Sequence, residues 1–232
     1  MLLVNAPISF GKTSLTEILT DTLDSKGFYE KVDGMPMLEK FYSAGEESRY
    51  NLAFPLQIAF LNYRFGQLLE ANRLRNAVLD SSLLSDSLMS KNLHDRGEFP
   101  DTEFDLYHGL VRNMLNSVTR TNDSQLPDLI VFLDGDFSLM LDHIQKRGRE
   151  MEALDDDKID YYRSVYNIYQ HWYQSYSESP VIKIDMNKYD FVNNMEDRKE
   201  VLTQILTRMV ELQMLTPSEF QEIKTNKLDK LV

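Results

Sequence analysis

Cysteine is absent from this 232-residue chain, which excludes disulfides and thiolate metal sites and favours an intracellular protein over a secreted disulfide scaffold. Histidine is scarce: the four present are too scattered to form an obvious metal set. Positive charge is short as well. The net charge of −12 argues against general binding to nucleic acid or to anionic membrane surfaces, so clusters of cations inside the chain carry information. No apolar run approaches the roughly 20 residues needed to cross a bilayer, and the first residues read as a core strand rather than a cleavable signal. A cytoplasmic location is the expectation. Repeats, low-complexity tracts and linkers are missing too. The 42% of hydrophobic residues is enough for one sizeable core, so a single domain over 1–232 is expected, with its core over 1–213 and a polar tail over 214–232.

What is present begins with Leu2-Leu3-Val4, a short apolar run that breaks into Asn5-Ala6-Pro7-Ile8-Ser9-Phe10-Gly11-Lys12-Thr13. This reads as a phosphate-binding loop, whose full pattern is Gly, four residues, Gly, Lys, then Ser or Thr. Gly11, Lys12 and Thr13 fit; Ala6 stands where the first glycine belongs. The chemistry asks for backbone N–H groups, here those around Ile8, Ser9 and Phe10, turned toward phosphate oxygens, a lysine on the outer phosphates and a hydroxyl on Mg²⁺. Gly-Lys-Thr alone is common by chance. Context strengthens it: a strand-like run precedes the loop, and Leu15, Ile18, Leu19 and Leu23 follow at helical spacing.

Four more strands are expected, at Phe28–Val32, Asn76–Asp80, Leu129–Asp134 and Val181–Asp185, each separated from the last by helical stretches. Repeated β-α units of this kind give an α/β fold with a parallel sheet covered on both faces. Glu30 then lies near a strand's carboxyl end, where ligands of open α/β sheets sit. A turn at Asp33-Gly34, a short helix over Met35–Tyr42 and a loop over Ser43–Ser48 lead into a long helix from about Arg49 to Leu74. On it Gln57 and Arg64 share a face, as a solvated stripe or as part of a site. Asp80 fits a helix-start cap and a magnesium or water ligand equally well, and Ser81-Ser82 cap a helix that carries Asp86. A further helix is expected over Thr102–Arg120. The helix from Phe137 ends in Lys146-Arg147-Gly148-Arg149, which suits a helix C-terminus with a glycine cap, or a mobile lid whose arginines close over a phosphate. Tyr162, Tyr166, Tyr169, Tyr173 and Tyr176 form an aromatic stripe for core or subunit packing. After a loop over Lys188–Val192 and a helix over Asp197–Leu212, the tail is expected to hold one short helix with a frayed end.

Glu30 after an apolar strand, Pro36-Met37-Leu38-Glu39-Lys40-Phe41-Tyr42, Phe54-Pro55-Leu56-Gln57, Asp80-Ser81-Ser82, Lys146-Arg147-Gly148-Arg149 and Lys188-Tyr189-Asp190-Phe191-Val192 occur in this order. Together they resemble the bacterial deoxynucleoside kinases, in particular the deoxyadenosine/deoxyguanosine kinase branch, over nearly the whole chain to about Leu212. The resemblance implies a P-loop kinase fold with a five-stranded parallel sheet flanked by helices and a short arginine-bearing lid. It implies transfer of the γ-phosphoryl of ATP or another nucleoside triphosphate, with Mg²⁺, to the 5′-hydroxyl of a deoxynucleoside, purine or cytosine rather than thymine. By position Glu30 matches the general base, Asp80 the acid that helps hold Mg²⁺, and Gln57 the reader of the nucleobase edge, with Arg64 and Asp86 next to it. Tyr42 and Glu152 match the groups on the sugar 3′-hydroxyl, and Arg147 and Arg149 match the lid arginines that act with Lys12. Asp190 and Phe191 lie where the family wraps the donor's base. Family members pair through helices, so a homodimer, or a heterodimer with a paralogue, is implied.

Four positions depart from the family pattern. Ala6 replaces a glycine; if that position needs φ > 0, its Cβ costs about 1–2 kcal/mol. Phe10 replaces a small residue, and Ser81 replaces an arginine, removing a cation near the reacting oxygens. Lys31 follows Glu30, but neighbours on a strand face opposite ways, so it does not restore that charge. Two other readings stay open: a weakened nucleotide-binding or regulatory paralogue acting as a subunit, and a deoxynucleoside monophosphate kinase.

Overall fold

The computed structural model describes residues 1–30, 37, 46–97, 99–119, 126–148, 154 and 156–231. The chain divides into two compact units, one of Met1–Gly27, Leu74–Asp80 and Leu126–Val232, the other of Phe28–Arg73 and Ser81–Gln125. Five strands, β1 (Leu2–Asn5), β2 (Gly27–Phe28), β3 (Val78–Leu79), β4 (Leu129–Asp134) and β5 (Val181–Asp185), form one sheet in the order β2-β3-β1-β4-β5. β1 runs parallel to β3 and β4, and β4 runs parallel to β5. Continuous apolar runs such as Leu2-Leu3-Val4 and Leu129–Leu133 are what strands buried on both faces require, and each of these residues is buried here.

Among the described residues the helices are α1 (Lys12–Thr22), α2 (Glu46–Ala71), α3 (Leu83–Asp95), α4 (Asp101–Thr119), α5 (Phe137–Arg147), α6 (Asp156–Ser175), α7 (Met195–Glu211) and α8 (Pro217–Asn226). In the first unit the aromatic stripe of α6 packs on its own sheet. Tyr162 and Tyr169 are buried, and Tyr173 stacks on Phe132 with ring centroids 5.0 Å apart. α5 ends as expected, with Gly148 as a left-handed cap at φ 65°. The second unit packs α2, α3 and α4 together around Leu61, Leu68, Phe99 and Tyr107.

β4 and β5 span the residues expected of them, but β2 and β3 are shorter than the apolar runs suggest. Tyr29 and Glu30 continue past the end of β2 without ladder pairing, while Lys31 and Val32 lie outside the described residues. Asn76 takes φ 54° and so falls outside the extended region, leaving Val78 and Leu79 as the paired part of β3. α2 begins at Glu46, inside the stretch expected to be a loop. The turn at Asp33-Gly34 and, apart from Met37, the short helix over Met35–Tyr42 lie outside the described residues.

The tail holds the short helix expected of it, α8, and among the described residues it is docked rather than frayed. Thr216 and Glu219 close a reciprocal capping box at the start of α8, which also has Pro217 in its first turn. Arg75 clasps Glu219 through two bonds of 2.5 and 3.0 Å. Beyond α8, Leu228 is wholly buried in the core of the first unit, and Lys227 reaches Asp24 at 2.6 Å and the carbonyl of Asp21. The Arg75 hydrogen bond, then those from Thr216, hold the Glu219 carboxyl down from 4.5 to about 2. A carboxyl depressed by folding adds stability above its unfolded value and loses it as pH falls through the folded one. The stability advantage of the wild type over Glu219→Gln, read from denaturant midpoints at pH 7, should narrow below pH 4.5 and close near pH 2. A constant gap across that range would remove Glu219 as the group that ties down the tail.

Candidate active site

β1 delivers the chain into the loop, and α1 leaves it at Lys12. Gly11, the N-cap of α1, takes φ 80°, and a Cβ there would lie 3.3 Å from Phe191 Cζ, so only glycine suits both its backbone and its space. Ala6 is fully buried and does not have a positive φ. The expected cost of a Cβ at position 6 therefore does not arise. The left-handed strain falls instead on Ser9, at φ 63°. Phe10 does not crowd the loop: its ring is buried in the core, beside Gly135, where an added Cβ would come 3.4 Å from Phe10 Cε1.

Around this turn the first unit gathers polar groups. Thr13 Oγ1 donates to Asp80 Oδ2 at 2.8 Å, so the hydroxyl of the loop motif and the carboxylate after β3 meet. From α5, Arg147 Nη1 donates to Ser9 Oγ at 3.2 Å, and His143 Nδ1 lies 3.1 Å from the Ser9 carbonyl. The segment after β5 is fixed by Arg198, whose Nε and Nη2 each donate at 2.8 Å, to the carbonyls of Phe191 and Val192. Phe191 is itself fully buried, under Gly11. Hydrogen bonding from the Asn193 side chain, aided by backbone bonds and the charge of His143, holds the Asp190 carboxyl below the usual carboxylate range.

The second unit carries a separate polar cluster. Arg64, on α2 and only 2% exposed, donates from Nη2 to Glu30 Oε1 at 3.0 Å, and its Nε lies 3.4 Å from Asp86 Oδ2. Its Nη1 has no hydrogen-bond partner among the described residues. Gln67, three residues further along α2, donates to the Tyr29 carbonyl at 2.8 Å and so fixes the backbone just before Glu30. Tyr107 on α4 is fully buried, and its hydroxyl has no partner among the described residues. Burial first, and then the charge of Asp86, push its ionisation well above the ordinary phenol range. Gln57 is half-buried on α2. Tyr42, Arg149 and Glu152 lie outside the described residues.

A family model described as deoxynucleoside kinase matches residues 2–211. The chain belongs to the deoxynucleoside kinase family. A deoxyguanosine kinase of Lactobacillus johnsonii is 40% identical over 214 residues, spanning 91% of this chain and 93% of its own. A deoxyadenosine kinase of Lactobacillus acidophilus is 37% identical over 214 residues, spanning 91% and 97%. Among solved structures, a deoxyadenosine kinase from M. mycoides with bound dATP superposes with a TM-score of 0.68 at 21% identity, covering 88% of this chain and 98% of that one. The five-stranded parallel sheet flanked by helices is thus the P-loop kinase fold, and the chain is a phosphotransferase.

Within this deoxynucleoside kinase two of the four departures acquire physical explanations, while Lys31 lies outside the described residues. Ala6 is unstrained and Phe10 is a core residue. Ser81 supplies no cation, yet Glu30 has one, from Arg64. Several residues of the two clusters were not singled out from sequence, among them Gln67, Tyr107 and His143. Gln67 could have been found, because it extends the polar face of Gln57 and Arg64 by one turn. Tyr107 reads as one more apolar residue on α4, and His143 as a lone histidine on α5; nothing in their spacing marks either.

Proposed function

We propose that this kinase transfers the γ-phosphoryl group of ATP, or another nucleoside triphosphate, to the 5′-hydroxyl of a deoxynucleoside, with adenine, guanine or cytosine preferred to thymine. The observation that carries the reading is Arg64, which joins Glu30 to Asp86 through one guanidinium. Glu30 is the base that takes the hydroxyl proton, and Asp86 with Gln57 reads the nucleobase. Binding of the nucleobase thereby orders the cation that orients the base. Asp86 accepts from an exocyclic amine and a guanidinium donates to ring nitrogen or oxygen, whereas thymine has no exocyclic amine to offer. The names of the relatives, deoxyguanosine and deoxyadenosine kinases, support a purine. Tyr42 and Glu152 take the 3′-hydroxyl, and 1–232 acts as one kinase domain, cytoplasmic and dimeric.

On the donor side, phosphoryl transfer needs alignment and positive charge on the phosphate oxygens. Lys12, Arg147 and Arg149 supply the charge, the turn from Ile8 to Gly11 supplies N–H groups, and Asp190 and Phe191 support the donor-side loop. Thr13 and Asp80 offer hard oxygens of the kind Mg²⁺ takes, one of them a carboxylate only 3% exposed. Among the described residues no cluster of three or more acidic, histidine or cysteine side chains stands ready for a metal, so the remaining ligands would come from the triphosphate and water. When bound, the ion offsets charge on the β- and γ-phosphate oxygens.

A panel of deoxynucleosides and their monophosphates with labelled ATP tests the reading. Deoxyadenosine, deoxyguanosine or deoxycytidine should be phosphorylated well ahead of thymidine and of every monophosphate. Turnover of monophosphates alone would reassign the acceptor, and binding without turnover of any acceptor would point to a regulatory subunit.

A further inference from the structure

The roles assigned so far leave His143 unused. It stands four residues before Arg147 on α5, so the two side chains project from one face of that helix, and both end on Ser9. A carbonyl oxygen can only accept, so the 3.1 Å contact fixes the proton of His143 on Nδ1. The same imidazole meets the Phe10 ring edge-on, with centroids 6.2 Å apart and planes at 82°. Ser9 needs such support. At φ 63° it occupies a region that residues with a Cβ rarely adopt, and Gly11 at φ 80° follows two residues later.

A trans peptide carries its C=O and N–H on opposite sides. Fixing the Ser9 carbonyl on α5 therefore turns the N–H of Phe10 away from α5. We propose that His143 is a positioning residue for the phosphate donor: its bond to Ser9 and its contact with Phe10 hold the Ser9–Gly11 turn in the conformation that receives the triphosphate. The inference rests on the donor-binding reading of this loop. It gives Phe10 a purpose as well, as the fixed point against which the imidazole is set.

The test compares wild type, His143→Phe, His143→Asn, Ser9→Gly and the Ser9→Gly/His143→Phe double variant. Calorimetry measures the Kd of a non-hydrolysable ATP analogue, steady-state kinetics give the KM of donor and nucleoside, and thermal melts report folding. His143→Phe keeps a ring beside Phe10 but loses the hydrogen-bond donor. It should weaken donor binding about tenfold while the nucleoside KM stays near wild type. Asparagine can donate from a similar position, so His143→Asn should recover most of the loss. Glycine adopts positive φ without help; in the Ser9→Gly background the same phenylalanine substitution should cost much less. Unchanged donor Kd in His143→Phe, equal losses for donor and nucleoside, or an undiminished loss beside Ser9→Gly would overturn the proposal. A wild-type protein that fails to bind the analogue would instead bring down the donor-binding reading, and this inference with it.

Discussion

Glu30→Gln should lower turnover by about 10²–10⁴-fold, the usual worth of a positioned general base, with little change in nucleoside affinity. The substitution is nearly isosteric. A glutamine oxygen can still accept the Arg64 Nη2 hydrogen bond that Glu30 accepts at 3.0 Å, so the cluster keeps its shape while losing the group proposed to take the proton. Glu30 is also 44% exposed, so loss of its charge should disturb the fold little. Turnover at saturating substrates, set beside nucleoside Kd from calorimetry, separates the two effects. Activity within a few-fold of wild type would remove Glu30 from the mechanism.

Arg64→Leu should be the most destabilising change at this cluster, costing about 3–5 kcal/mol, because it takes the cation from a buried ion pair and leaves the charge of Asp86 behind. The side chains of Arg64 and Asp86 are only 2% and 13% exposed, so water compensates poorly. Removing both charges should be far gentler: Arg64→Leu/Asp86→Leu should recover much of the stability in urea titrations. It should not recover phosphorylation, since the groups proposed to read the base and orient Glu30 are gone. Wild-type stability in the single variant, or activity regained in the double, would contradict the account.

The sequence is readable where a single residue type answers a single local demand. β4 and β5 are continuous or alternating apolar runs with clear ends, Gly148 is a glycine after cations at a helix end, and the strand-loop-helix around Gly11 fixes its own context. The cluster was half legible: Gln57 and Arg64 stand on one face by spacing, and the family resemblance points to Glu30 and Asp86. That one guanidinium holds both carboxylates is a contact between Glu30, α2 and α3 that no spacing reveals. The same limit applies to Phe10. Its identity announces a departure, but the core that receives its ring includes residues far along the sequence, Gly135 among them. The short helix of the tail is legible in its sequence, but its anchoring is not, since Arg75, Asp21 and Asp24 are remote partners that no local pattern reveals.

The docked tail also says something about the order in which this protein is made. α1 carries the phosphate loop at one end, while the residues just beyond its other end are held by Lys227, 203 positions downstream of Asp24. During synthesis this helix waits for Lys227 before its last contacts exist, a non-local closure of the kind that slows folding. A ribosome paused before Lys227 and Leu228 would present a nascent kinase whose nucleotide loop has been made but whose supporting helix is still unclasped.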